Sequence, residues 1–177
     1  PDKGFDQQSP GRVELEIFGP IGFWKQSNEF VSVYGETNKT ISFLRTHWKL
    51  NGHYLIEESE TKISEGKKKQ SLKVKFYNEF DSTEPYRCVW FQDNGSLMVF
   101  SGAYGAKSKQ IKWKSIDAFS EPGVKLRIEE AMLADEVQSI IYELNSQIVG
   151  QPLLKGSSTK LKIPDPVRSR EKVKPIP

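Results

Sequence analysis

The stretch TISFLRTHWKLNGHYLIEE, from Thr40 to Glu58, alternates apolar and polar residues at period 2, the pattern of a half-buried strand. Its even positions Leu44, Thr46, Trp48, Leu50, Tyr54 and Ile56 form the apolar phase, and Lys49, Asn51, His53 and Glu57 lie on the other. Read continuously, it is one long strand interrupted by Gly52, a glycine placed where barrel strands coil or bend. Such a strand points to a barrel, and a barrel has an interior. On this reading Trp48, Leu50 and Tyr54 stand on the interior wall, while His47 and His53 face away from it.

Working outward, the same period divides 40–58 into 40–50 and 53–61 and recurs at 13–18, 23–34, 71–80, 86–92, 96–104, 110–116, 124–133, 136–146 and 153–163. About ten short strands in succession make a meander. In Ser71 to Tyr77, the clearest of them, Leu72, Val74 and Phe76 alternate with Ser71, Lys73 and Lys75, which predicts one apolar face and one solvated face. Asn94-Gly95 carries the pair that tolerates positive φ at both central residues of a type I′ hairpin turn. Residues 129–144 contain the helix formers Glu129, Ala131 and Met132, yet Val137, Ile140, Ile141 and Tyr142 favour two strands around Asp135. Short turns place sequence neighbours side by side, and a sheet this wide closes to remove its edges. The expected fold is therefore all-β: a single antiparallel up-and-down barrel of about 8–10 strands over residues 13–163. A 1–12 N-terminal extension precedes it, and an extended basic tail, rich in Pro, Lys and Arg, covers 164–177.

Charge separates the two parts. Residues 150–177 hold seven Lys and Arg against Asp165 and Glu171, a net +5 that leaves the rest of the chain at −2. A body so close to neutral has no basic footprint for nucleic acid, and the tail reads most simply as a solvated terminus. No apolar run reaches the roughly 18 residues a membrane-crossing helix needs. The chain opens at Pro1, which suggests a processed N-terminus and leaves a secreted or periplasmic location open. Cys88 is the sole cysteine, so no intramolecular disulfide is available, and its phase with Tyr86 and Trp90 reads as apolar filling.

Catalytic signatures are absent: there is no G-x-S-x-G, H-E-x-x-H, C-x-x-C, Walker loop or strand-linked G-x-G-x-x-G. On one extended strand, His47 and His53 stand about 20 Å apart, too far to share a metal, and there is no other histidine. No catalytic or metal-ligating residue is expected. Glu130 stands out because it shares its phase with Val124, Leu126, Ile128 and Met132; inside a barrel its carboxylate would need a partner, with Arg45 and Arg87 the candidates. Nearer a strand end, it would simply be solvated. The aromatic residues either fill the lumen or line a cavity, where Tyr and Trp supply polar handles.

Gly22-Phe23-Trp24, Trp48-Lys49-Leu50-Asn51-Gly52-His53-Tyr54, Phe76-Tyr77-Asn78, Tyr86-Arg87 through Trp90, Asp93 and Gly95, Gly102 and Trp113 follow one another in an order that resembles a family of uncharacterised, mostly bacterial proteins with lipocalin-like, calycin-type barrels. The likeness runs from about residue 22 to 163. Asn78 stands where that family usually has Asp, and 115–124 is longer than its linker. The resemblance implies a barrel with a cavity for a hydrophobic ligand and carries over no catalytic residue. Nitrobindin, a haem-binding barrel, is similar in architecture, but its haem takes an axial histidine inside the barrel; both histidines here belong to the outer phase, so no cofactor is expected.

The leading expectation is a barrel that binds a small hydrophobic or amphipathic ligand, with Trp48, Tyr54, Tyr86, Trp90 and Trp113 lining the cavity and Arg87 and Glu130 as polar handles. The alternatives are a barrel enzyme of isomerase or cyclase type working through a buried carboxylate, and a protein-interaction module using the outer face or the tail.

Overall fold

The structure is a computed structural model that describes residues 18, 21–31, 35–63, 66–118, 125–133, 135–143 and 153–165. Ten strands follow in chain order: β1 (Gly22–Val31), β2 (Thr37–Lys49), β3 (Tyr54–Lys62), β4 (Lys68–Tyr77), β5 (Tyr86–Gln92), β6 (Leu97–Gly105), β7 (Gln110–Ala118), β8 (Leu126–Leu133), β9 (Glu136–Glu143) and β10 (Leu153–Ile163). Each pairs antiparallel with the next, and β1 pairs with β10, so the meander closes into an up-and-down barrel. Of the expected strand at 13–18 only Phe18 is described, and its backbone is helical. The expected 1–12 extension and the tail beyond Asp165 lie outside the described residues.

The deciding stretch is a hairpin and not one bent strand. Leu50, Asn51 and Gly52 all take positive φ, at 49°, 57° and 87°, and the His53 amide donates to the Leu50 carbonyl at 3.2 Å. Glycine meets that left-handed geometry without a side-chain clash, whereas Leu50 accepts it at the surface, 72% exposed. The pairing sets Trp48 opposite Leu55 and Thr46 opposite Glu57, so facing residues have opposite parity. The inward phase is even on β2 and odd on β3. Tyr54 consequently faces outward, its ring 5.5 Å from that of Phe76, while Leu55 and Glu57 turn inward at 0% and 3% exposure.

Strand β4 inverts its expected faces. Lys73 and Lys75 point into the barrel; Leu72, Val74 and Phe76 are half-buried on the outer wall, opposite Glu58, Ile56 and Tyr54 of β3. Apolar cross-strand neighbours give those outward side chains part of the shelter a core would. The Asn94-Gly95 turn differs as well. Only Gly95 has positive φ, and Gln92 and Ser96 bracket a three-residue loop, with Gly95 N–H donating to the Gln92 carbonyl and Gln92 N–H to that of Ser96, both at 3.0 Å. This is the glycine-bulge hairpin and not the two-residue type I′ turn. The two strands around Asp135 form as expected.

The lumen has two unlike halves. At the end where β2 meets β3 and β4 meets β5, Phe18, Leu55, Tyr86, Cys88, Phe100, Ile111 and Trp113 form a close-packed core. The Phe18 ring sits 5.7 Å from Tyr86, 6.0 Å from Trp48 and 6.4 Å from Trp113, blocking that mouth. Gly102 lets the Trp113 ring lie against the wall: a Cβ there would come within 2.6 Å of Trp113 Cε3. The other half is hollow.

Candidate functional site

The hollow is a cavity of about 380 Å³, within the roughly 300–1,000 Å³ common for small-molecule sites. Seven Ser and Thr residues line it, with Gln26, Asn28 and Gln92, and apolar surface comes from six residues including Phe30, Leu44, Trp90 and Ile141. Strand alternation puts these short hydroxyl side chains inward, and their small size leaves the space open. Some satisfy one another across strands: Ser42 with Thr61 and Ser59 with Ser71, each at 2.7 Å, and Asn28 Nδ2 donating to Ser42 at 3.1 Å.

A layer of five charges, four of them buried and Lys73 half-buried, separates this cavity from the packed half. Glu57 bridges two lysines, accepting from Lys160 Nζ on Oε2 at 2.6 Å and facing Lys73 Nζ from Oε1 at 3.2 Å. Glu130 Oε2 accepts from Lys75 Nζ at 3.2 Å and from the Trp113 indole N–H at 2.7 Å. Lys73 also lies 4.8 Å from the centre of the Trp90 ring, and Lys75 5.7 Å from that of Trp113, so both ammonium groups gain cation–π contacts. Pairing of this quality is what lets charges remain ionised out of water.

The electrostatics follow from competition between burial and neighbours. Burial pushes both glutamates up, but the lysines outweigh it, holding Glu57 well below the carboxylate range and Glu130 at about 2. Burial pushes Lys73 and Lys75 down, and here Glu57 and Glu130 outweigh it, so both stand above the ordinary lysine value. Lys160 goes the other way: burial, aided by Lys73 and Lys75, pulls it below the ordinary value despite Glu57. Cys88, against this layer, is pushed up to about 11, chiefly by burial. Its thiol is protonated at neutral pH, as an inert core residue should be.

Of the residues expected to line the cavity, Trp90 and Glu130 do. Trp48, Tyr86 and Trp113 face inward but belong to the packed half, where they meet Phe18 and one another. Tyr54 and Arg87 do not reach the lumen. Arg87 is on the outer wall, its guanidinium 2.7 Å from Asp81 and also donating to the Glu84 carbonyl, which fastens the 78–85 loop against β5. Nor do Arg45 and Arg87 partner Glu130; Lys75 does. Sequence reasoning missed Glu57, Lys73, Lys75 and Lys160, because a charged residue alternating with apolar ones looks the same whether it faces water or a polar lumen. His47 stands on the outer phase opposite Ile56, and His53 is exposed in the turn. Among the described residues, no group of three or more His, Cys, Asp and Glu is arranged to hold a metal ion.

A wider depression, about 740 Å³, lies on the outer wall near Phe23, Phe43, Leu72 and Phe91. Of its charged residues, Arg45, Glu58 and Asp93 are exposed and Glu60 is half-buried against Lys68, so it lacks the buried polar groups that orient a ligand. Among the described residues, no helix is long and apolar enough to cross a membrane.

No family model matches this chain, and no curated protein sequence does. Among solved structures, it is similar to Rv2717c from M. tuberculosis, a crystal structure superposed with a TM-score of 0.64 over 88% of this chain and 100% of that chain at 11% identity. At that identity the likeness is one of fold alone: what the comparison establishes is the β-barrel.

Proposed function

We propose that the barrel binds one small amphipathic molecule inside its open half. The observation that carries this is the half-filled lumen. The same ten strands that pack aromatic rings tightly at one end present short hydroxyl side chains around a cavity of about 380 Å³ at the other. Interiors are ordinarily close-packed, so a hollow of this size with polar handles and a charged floor fits a ligand better than it fits a core. The order of motifs along the chain agrees with a place among calycin-type barrels, whose architecture encloses one small ligand.

The binding reading is favoured over a barrel isomerase or cyclase. A catalytic carboxylate near neutral pH needs a value tuned toward the working pH, whereas Glu130 is held at about 2 by Lys75 and lacks a proton to give. The test is native mass spectrometry of freshly purified protein, followed by tryptophan fluorescence with a panel of small amphipathic compounds. Bound mass, or a fluorescence response abolished by Ser139→Phe, is expected. A ligand-free barrel that responds to nothing in the panel, or responds identically after Ser139→Phe, overturns the proposal.

A further inference from the structure

We infer that the polar end of the ligand is a hydroxylated monocarboxylate, its carboxylate at the cavity floor between Lys73 and Lys160, against the Trp90 indole. The inference rests on the cavity reading and adds the charge and the chemistry of what fills it.

The charge layer is unbalanced. Among the described residues it holds Lys73, Lys75 and Lys160 against Glu57 and Glu130, one positive charge in excess. Lys75 has Glu130 to itself, and it does not line the cavity. The surplus therefore falls on Lys73 and Lys160, which share the single carboxylate of Glu57, one on each oxygen, and which both line the cavity. Lys73 is the more open of the two, its side chain 17% exposed against 5% for Lys160. Buried charge without a counter-charge is costly, and an anion arriving from the cavity removes that cost.

A second observation points to the same spot. Trp90 lies beneath Lys73, and its Nε1–H is buried with no acceptor among the described residues. A buried donor left without an acceptor carries a desolvation penalty, and a carboxylate beside Lys73 is an acceptor within the same corner. One surplus charge matches a carboxylate better than a phosphate monoester, which brings between about 1.5 and 2 negative charges at pH 7. The hydroxyl lining sets the rest of the molecule. Ser42 and Thr61, and Ser59 and Ser71, already bond one another, but each hydroxyl keeps capacity for a further bond, and with Thr40, Ser139 and Ser158 they suit a body carrying hydroxyl groups better than a long alkyl chain, which would return none.

Isothermal titration calorimetry at pH 7 with gluconate, its neutral counterpart sorbitol, and 6-phosphogluconate tests the inference. Gluconate is expected to bind about ten- to a hundredfold tighter than sorbitol, the range for one or two charged hydrogen bonds. The doubly substituted 6-phosphogluconate is expected to bind no tighter than gluconate. Lys73→Met should bring gluconate down to the sorbitol level. It should also fold, because Glu57 keeps Lys160 and the methionine still covers Trp90; circular dichroism checks this. Trp90→Phe keeps an aromatic face under Lys73, removes the N–H and should cost gluconate severalfold. Glu57→Gln moves in the opposite sense, since it enlarges the surplus and should tighten gluconate. Sorbitol binding as tightly as gluconate, or gluconate unaffected by Lys73→Met, overturns the charge assignment and leaves the cavity reading standing. If none of the three binds while amphipathic compounds of the fluorescence panel do, the hydroxylated-acid assignment falls alone; if nothing binds in either experiment, both readings fall.

Discussion

The closed end of the lumen and the open end are built by the same strands and the same alternation, yet they bury opposite chemistry. At the closed end Phe100, Leu55 and Ile111 are almost wholly removed from water and touch other apolar side chains. At the open end Ser139, Ser158, Asn28 and Ser42 are buried to nearly the same degree beside empty space. Between them lies the layer of Glu57, Lys73, Lys75, Glu130 and Lys160, where charges are tolerated because each has a partner. Burial alone therefore does not report what holds this barrel together. The closed end supplies stability through packing, and the open end has given up packing for a shaped, polar space.

That contrast is open to direct attack. The largest losses are expected from Phe100→Ala in the closed half and Glu130→Ala in the charge layer, each about 3–5 kcal/mol in urea unfolding, from a cavity in one case and a stranded Lys75 in the other. The two should then part: Glu130→Leu combined with Lys75→Met should recover most of the loss, short by about 1–3 kcal/mol for the Trp113 N–H left without its acceptor. If the double variant is no better than Glu130→Ala, the layer is not held by charge pairing.

Acid comes next. The folded values of Glu57 and Glu130 are depressed, so their stabilisation is complete above the unfolded value of 4.5 and is lost as pH falls, for Glu130 down to about 2. A single shift of that size corresponds to on the order of 3 kcal/mol. Thermal melting between pH 5 and 2, scored against the double variant, should show the steeper fall in the wild type. Gly102→Ala should cost about 1–3 kcal/mol by driving a methyl into Trp113. The smallest effect is expected at Ser139→Ala, within about 0.5 kcal/mol, because its hydroxyl faces the cavity. A loss there as large as at Gly102 would mean the hollow half is structurally as demanding as the packed one.

Much of the architecture was legible in the sequence. Periodicity located β5 and β10 to the residue and the remaining strands to within a few positions, because alternation and turn residues are local properties. Which phase faced inward was not local. At Thr40–Glu58 the parity change at the turn reversed the assignment of Tyr54 and Glu57, and three consecutive positive-φ residues carry no sequence signal beyond Asn51-Gly52. On β4, apolar-inward reasoning put Leu72, Val74 and Phe76 in the core. It failed because a lumen holding paired charges reverses the usual preference, and pairing of Lys75 with Glu130, 55 residues away, cannot be seen along the chain. Glu130 was singled out by its phase and does stand inside, although its partner is a lysine rather than either arginine considered. Trp90 was named with the other aromatic residues as a candidate lining residue and stands at the cavity, while Trp48, Tyr86 and Trp113, named on the same ground, pack at the closed end.

Closure of the barrel between β1 and β10 has a consequence in time. No subset of strands preceding β10 can seal the lumen, since the first strand's partner is the last to be made. Glu57 and Lys160 meet across 103 residues, so their ion pair cannot exist until that final strand has docked. Until then Glu57 has only the β4 lysines, Lys73 in direct contact and Lys75 nearby, and the half-built sheet exposes two unpaired edges. Closure therefore waits on contacts of long sequence separation, which a chain forms more slowly than hairpins, and slow refolding with late protection of the Lys160 amide is expected in pulsed hydrogen exchange.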